Sequence, residues 1–517
     1  MPYLDGMNPT TIEILAAVLF ACAVVHTFST RWFEHLARTR SGHSGLWHLL
    51  GEVEIVFGLW AGLLVIGMTV LSSWGEVAAY LESRQFVEPI FVFAIMVVAA
   101  SRPVLQLASD FVARVARRLP LESGLATYFV SLSVVPLLGS LITEPAAMTL
   151  AALMLRDRLF GRAVSKRTKY LTLGVLFVNI SIGGTLTNFA APPVLMVAGT
   201  WGWSTGHMFA QFGWKAAVAV FVNAAAATYL CRRQLAGGSI QAARAGAPRV
   251  PAALVAVHVA LLAGIVLANH RPVVLMGVFL LFLGLAEAYK RYHGRLILRE
   301  GLMVAFFLAG LIVLGGQQKW WLQTLLTSLD ESTVFFGAAL LTAVTDNAAL
   351  TYLGSLVDTL SAGFQYALVA GAVAGGGLTV IANAPNPAGF AILKGSFEDR
   401  AINPLGLAAA ALPPTAVALL LFGVRGGPLD DLFVPSAWGD WLATLDRPFL
   451  FLVLLPLIVV AFGLWADRLE RARRRPAYPE ASSGRPSARW SPAASATGGE
   501  APGEGDDPER TRPETAA

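Results

Sequence analysis

Apolar runs recur along almost the whole chain, several near the ~20 residues that a helix needs to cross a bilayer. They lie at 11–29, 49–72, 87–101, 213–230, 251–268, 272–289, 302–318, 404–423 and 449–466. Two longer stretches, 169–199 and 364–393, are interrupted by Gly, Pro and Asn, and each reads as one broken span rather than two full ones. The pattern therefore predicts 11 crossings. Two other stretches, 124–155 and 333–357, have an apolar arm, a polar tip and a second arm too short to cross alone. Each reads as a re-entrant hairpin, allowed only where its tip is buried in protein or faces water. A pair of short tilted spans is the alternative. Residues 103–118 carry Asp110 and three arginines on an apolar scaffold and read as an interfacial amphipathic helix.

Composition agrees with that pattern. Hydrophobic residues make up 56% of the 517 and charged residues 14%, against about 45–50% and 25% in soluble domains. Eighteen of the charged residues follow Trp465, so the body of the chain is poorer still. A string of soluble domains is excluded, and the fold class is an all-α polytopic membrane protein with the lipid bilayer as its partner. The net charge of +5 does not mark nucleic-acid binding, because the basic residues occupy short loops between apolar runs. Arg31, Arg38, Arg40; Arg114, Arg117, Arg118; the cluster from Arg156 to Lys169; Arg232, Arg233; Lys290, Arg291, Arg295, Arg299; and the cluster from Arg468 to Arg475 all fall on one side. By the positive-inside rule that side is cytoplasmic, with the N-terminus outside and the C-terminus inside. Arg425 is the main exception, offset by Asp430, Asp431 and Asp440. The membrane is read as the inner (plasma) membrane of a bacterial-type cell. No basic residue precedes the run at 11–29, which reads as a retained span rather than a signal peptide. Cys22 and Cys231 form no disulfide framework, and no cofactor motif is present.

A repeat lies inside this scheme. Thr143-Glu144-Pro145-Ala146-Ala147-Met148-Thr149-Leu150 aligns with Thr345-Asp346-Asn347-Ala348-Ala349-Leu350-Thr351-Tyr352. Each copy is followed by a Gly-Pro-rich segment, Gly183 to Pro193 and Gly375 to Pro387, and Leu186-Thr187 matches Leu378-Thr379. Order and spacing recur, as in a duplication. Charge indicates that the copies are inverted: the first acidic motif runs into the basic loop at Arg156, whereas no Lys or Arg lies between Trp320 and Leu393 after the second. The expected organisation is 1–86 as N-terminal scaffold spans and 87–232 as the first repeat. Residues 233–300 follow as connecting spans, 301–424 as the second repeat, 425–466 as the last span and 467–517 as a disordered cytoplasmic tail.

Inverted repeats with broken helices are a common construction of secondary transporters, with the site near the midplane where opened helix ends free backbone groups. A carboxylate at the bilayer centre costs about 2.5–3.5 kcal/mol on insertion scales, so Glu144 and Asp346 are functional candidates. Two carboxylates brought together repel an anion and attract a small cation. When the cation leaves, repulsion and desolvation favour a proton in its place. Thr143, Thr345, Asn347, Thr185, Thr187, Asn188, Asn383 and Asn386 would add neutral oxygens suited to Na⁺. A carboxylate that simply caps a helix start is the alternative for each acid. Glu52 and Glu54, with His48 one turn earlier, form either an accessory proton path or an interfacial pair.

At these motifs the chain resembles the putative Na⁺/H⁺ antiporter family of the ion transporter superfamily. The motifs are TEPAAMTL, TDNAALTY, GGTLTNFAAPP, ANAPNPAG and WHLLGEVEIVFGLW from Trp47 to Trp60. The resemblance covers about residues 10–470. It implies two inverted repeats, each with a re-entrant hairpin and a broken helix, and a homodimer with a scaffold part and a moving transport part. Relatives near the dicarboxylate transporters carry Ser-Asn-Thr at both tips, whereas the tips here are Thr-Glu-Pro and Thr-Asp-Asn, which favours the cation branch. The expected function is exchange of Na⁺ (or Li⁺) for H⁺ by alternating access, with Na⁺ and the proton at one site. Na⁺-coupled transport of an organic anion or metalloid oxyanion is the alternative. An intramembrane enzyme is remote, since no HExxH, GxGD or GxSG motif lies in any span.

Overall fold

The structure, a computed structural model, describes residues 9–39, 43–160, 164–235, 249–269, 271–397 and 402–424. The expected span at 449–466 and the tail lie outside them. Among the described residues every regular element is helical. The chain opens with α1 (Thr11–Thr39), α2 (Ser44–Leu50), α3 (Val53–Leu71), α4 (Trp74–Glu82), α5 (Val87–Ala99) and α6 (Arg102–Arg118). The first hairpin is α7 (Ser123–Leu132), α8 (Val134–Ile142) and α9 (Glu144–Leu155), followed by α10 (Lys166–Gly183) and, beyond a break, α11 (Pro192–Trp201). After α12 (Thr205–Met208) and α13 (Trp214–Leu235) come α14 (Ala252–Leu267), α15 (Pro272–Ala288), α16 (Leu298–Gly315) and α17 (Lys319–Thr327). The second hairpin is α18 (Glu331–Thr342) and α19 (Asn347–Ser355). It leads to α20 (Ala362–Gly375), a second break, α21 (Asn386–Leu393) and α22 (Pro404–Gly423).

Local chemistry sets many of these boundaries. Ser73, Ser165, Asp330 and Asn403 accept backbone N–H groups at the starts of α4, α10, α18 and α22. Prolines open α6, α9, α11, α15 and α22, where their fixed φ suits a first turn.

Six helical stretches have the length and apolarity to cross a membrane: 11–30, 53–71, 166–186, 205–235, 298–315 and 404–423. Two bent pairs, α5 with α6 at 63° and α7 with α8 at 40°, raise this to eight if each is one span. These six to eight, counted among the described residues, compare with ten of the 11 expected crossings, since the run at 449–466 lies outside those residues. The runs at 251–268 and 272–289 become helices of 16 and 17 residues, the run at 87–101 is one arm of a bent pair, and 364–393 divides into pieces of 14 and 8. Hydropathy registers apolar length and is blind to where a helix ends.

The two helices that lead into the breaks form the centre. α10 is buried continuously from Thr172 to Gly183 and α20 from Tyr366 to Gly375. Within the hairpin that precedes it, each packs mainly on the arm before the tip, α10 on α8 and α20 on α18. The pieces beyond the breaks pack crosswise instead, α11 on α19 and α21 on α9. Outside this centre, α3, α15, α18 and α22 expose Val70, Val273, Leu340 and Leu420, which suits a hydrocarbon surround.

α3 and α16 cross with almost no side chain between them. A Cβ on Gly310 would lie 2.3 Å from the Gly58 backbone nitrogen, a small-residue contact of the kind that brings membrane helices together. Gly310→Val should therefore lower stability by about 1–3 kcal/mol through overpacking, whereas Gly277→Val, with nothing within 4 Å of its added Cβ, should not. Thermal aggregation midpoints in detergent test this, and equal midpoints for the two variants would contradict the crossing.

Candidate functional site

Between α8 and α9 a single residue turns the chain. Thr143 has φ 73° and ψ 150°, a region that costs a non-glycine residue about 1–3 kcal/mol and persists only where its surroundings impose it. The turn delivers Glu144 to the start of α9, fully buried. Its Oε2 accepts a hydrogen bond of 2.8 Å from Asn383 Nδ2, in the break after α20. Its Oε1 is buried without a partner. A Cβ on Gly184 would lie 2.3 Å from that oxygen, so only glycine lets the first break approach the carboxylate this closely.

The second tip is built differently. Asp346 Oδ1 accepts from the backbone N–H groups of Ala348 at 2.8 Å and Ala349 at 3.1 Å, capping α19. The buried residue is the next one, Asn347, whose backbone N–H donates to Ala382 O at 3.1 Å. A Cβ on Gly376 would meet Asn347 Nδ2 at 2.8 Å and Ser181 Oγ at 2.2 Å. Asn386 Nδ2 donates to Gly376 O and Thr379 O, each at 2.8 Å. Contacts thus run from Glu144 to Asn383, from Ala382 to Asn347, and past Gly376 to Asn386. Along this line Thr143 Oγ1, Glu144 Oε1, Asn347 Oδ1, Asn383 Oδ1 and Asn386 Oδ1 are buried and unpartnered. Each such group costs about 1–3 kcal/mol, and a concentration of them needs a physical cause. Asn347 Nδ2 is unpartnered as well. The line of contacts sets one buried carboxylate in segments that carry several neutral oxygens, donors able to hold a proton or a small hard cation.

The remaining residues singled out in the sequence do other things. Thr187 donates to Ser140 O at 2.7 Å, and Thr379, its match in the second motif, to Ala343 O at 2.8 Å. Thr185 donates to Ile182 O and Thr345 to Leu341 O, closing turns of their own helices. Asn188 donates to Trp203 O and accepts from Thr205 Oγ1, which pins the chain beyond the first break. Glu52 accepts from Arg299 and lies 3.4 Å from His48 Nδ1. Glu54 is within electrostatic reach of Asp346, as Asp346 is of Glu144.

Ser140, absent from the sequence-derived candidates, donates to Gly183 O at 2.8 Å and accepts from Leu186 N–H at 2.9 Å, satisfying the backbone that the first break frees. Its signal was a hydroxyl three residues before the hairpin tip. Asn179 and Asn223 were also missed. Asn179 Nδ2 donates to Leu132 O and Val220 O, and Asn223 Nδ2 to Asn179 Oδ1 and Pro414 O. An amide in the middle of an apolar span was the available signal.

The family model described as Putative Na⁺/H⁺ antiporter matches residues 11–424. The chain belongs to the putative Na⁺/H⁺ antiporter family. A comparison with curated proteins finds no match. Both hairpin tips, both breaks and all five unpartnered oxygens lie within the family's matched residues, whereas everything beyond 424 lies outside it.

Two substitutions separate the roles at the tips. Asp346→Ala should lower stability by about 1 kcal/mol through loss of the cap, while Asp346→Asn, an equally good capping residue, should not. Asn383→Ala should cost more, about 1–3 kcal/mol, because it leaves both Glu144 oxygens without a donor. Thermal midpoints of the purified variants in detergent check both; equal loss for Asp346→Ala and Asp346→Asn would contradict the capping role.

Proposed function

We propose that this protein is a multi-pass membrane transporter that exchanges Na⁺ (or Li⁺) for H⁺ by alternating access, with Glu144 as the group that carries either ion. The observation that supports this reading most strongly is a fully buried carboxylate, with one oxygen unpartnered, that Asn383 ties to the second helix break and that Gly184 of the first approaches. A carboxylate there is tolerated only when neutralised, and Na⁺ and H⁺ each neutralise it, so the two compete for one place. Asn347, Asn383, Asn386 and Thr143 supply neutral oxygens, the hard ligands such a cation takes. An organic anion or oxyanion would meet Glu144 with no Lys or Arg among these residues, so the anion reading loses support. A transporter, rather than an enzyme, is what the family name suggests.

We further infer that the fold contains two inverted-topology repeats. Matched contacts support it: Thr187 to Ser140 O beside Thr379 to Ala343 O, and Gly183 against Pro136 O beside Gly375 against Ala339 O. The crosswise packing of α11 on α19 and α21 on α9 adds to them. Repeats related in this way let the site open to either side by rocking. The basic loops favour an external N-terminus. In this arrangement Asp346 is a helix cap beside the site, and Glu54 and Glu52 are candidates for a proton path toward the basic face.

The test is pH-gradient dequenching in everted vesicles, with Na⁺, Li⁺, K⁺ and Ca²⁺ added in turn. Na⁺ and Li⁺ should evoke proton movement, and Glu144→Gln should abolish it. No cation-evoked movement would remove the exchange reading. A response unchanged in Glu144→Gln would keep exchange and discard this site.

A further inference from the structure

Far from the helix breaks in sequence, two histidines are held in a geometry that counts protons. His258 lies fully buried on α14, and His293 follows α15 in the segment 289–297. His258 Nδ1 is 2.7 Å from Leu254 O, and His293 Nδ1 is 3.1 Å from Tyr289 O. A carbonyl oxygen only accepts, so each Nδ1 carries a hydrogen. A neutral imidazole has one N–H, which leaves each Nε2 as a bare lone pair. Yet the two Nε2 atoms stand 2.7 Å apart. Two lone pairs repel at that distance, whereas an N–H···N bond is attractive, so one additional proton satisfies the pair.

We propose that His258 and His293 form a proton-binding site in which a single proton, shared between the two Nε2 atoms, fastens the segment 289–297 to α14. The loaded pair carries one positive charge. Its surroundings do not replace the proton with another partner: among the described residues, both rings hydrogen-bond only to each other and to the two carbonyls. The elements packed on α14 are α5, α6 and α15. Their charged groups are Glu88 on α5, Arg102, Asp110, Arg114, Arg117 and Arg118 on α6, and Glu287 on α15. Asp110 is paired with Arg249, and Glu287 with Lys290. On the segment itself, Arg291 lies over Tyr292 and Arg295 is 3.9 Å from Glu300. The His293 ring lies 4.8 Å from the His258 ring, centroid to centroid, and the Phe282 ring meets it edge to face.

The sign follows directly. The proton is present in acid and lost as pH rises, after which the facing lone pairs repel and the segment is released. The segment carries Lys290, Arg291 and Arg295, so the latch lies on the basic face of the protein, which the charge distribution assigns to the cytoplasm. It thereby makes the attachment of the α15–α16 connection to α14 responsive to pH on that side. The inference rests on hydrogen-bond chemistry alone and stands whether or not the protein exchanges Na⁺.

Hydrogen exchange on the full chain in nanodiscs tests it, at about pH 5.5 and about pH 8.5, on either side of the ordinary histidine range. The amides of Tyr292 and His293, bonded to Tyr289 O and Lys290 O, report on the segment. Corrected for chemical exchange, they should exchange at least about tenfold faster at the higher pH, the scale of one lost charge-assisted hydrogen bond. In His293→Gln, a change in the loop rather than the core, and in His258→Phe, the pH difference should vanish. Equal protection at both pH values in the native protein, or the same pH difference in His293→Gln, would overturn the proposal.

Discussion

Glu144 Oε2 accepts its hydrogen bond from Asn383, 239 positions away in the chain, and the rest of the centre is arranged to make that contact possible. A carboxylate cannot be carried into an apolar interior without a donor or a counter-charge. Thr143 is forced to a positive φ to swing Glu144 inward, and Gly184 is kept bare so that the first break can close over it. The second break must end where Asn383 can reach. α10 and α20, the most continuously buried helices, serve as the fixed supports from which both breaks depart.

The two tips are unequal, and the inequality matters for mechanism. At the first, the acid points inward and the backbone is strained. At the second, the acid turns back onto its own helix start, and the neutral Asn347 takes the buried place. One carboxylate is therefore sealed among neutral oxygens, while the other supports the α19 terminus with which it interacts favourably. Ser140 satisfies backbone groups that the first break releases, while Thr187 and Thr379, in the breaks, satisfy carbonyls at the ends of α8 and α18. That leaves the side-chain oxygens as the unsatisfied set.

Much of this was legible from residue order. Apolar runs marked the helices, and the Gly-Pro-Asn interruptions marked both breaks. The matched TEPAAMTL and TDNAALTY motifs marked both tips, with Glu144, Asn383 and Asn386 among the named oxygens. Linear alignment pairs Glu144 with Asp346, however, whereas the residue buried at the second tip is Asn347. A residue that caps a helix and one that enters a site differ by a single position, and only the backbone geometry tells them apart. Residue type within a motif singles out Thr185 and Asn188; in the structure Thr185 bonds the carbonyl of Ile182, and Asn188 bonds Trp203 O and Thr205 Oγ1. Among the described residues fewer helices have spanning length than the apolar runs suggest, because bends and helix ends are set by hydrogen bonding, to which apolar length is indifferent. The His258–His293 contact joins two segments separated by the whole of α15, and nothing in either local sequence announces it.

The central claim is that one cation and one proton compete for Glu144, and equilibrium binding tests it most directly. Binding of ²²Na⁺ to the purified protein should weaken as pH falls, approaching about tenfold per pH unit once the carboxylate is mostly protonated. It should disappear in Glu144→Gln. Binding that is independent of pH, or that survives in Glu144→Gln, would contradict the claim.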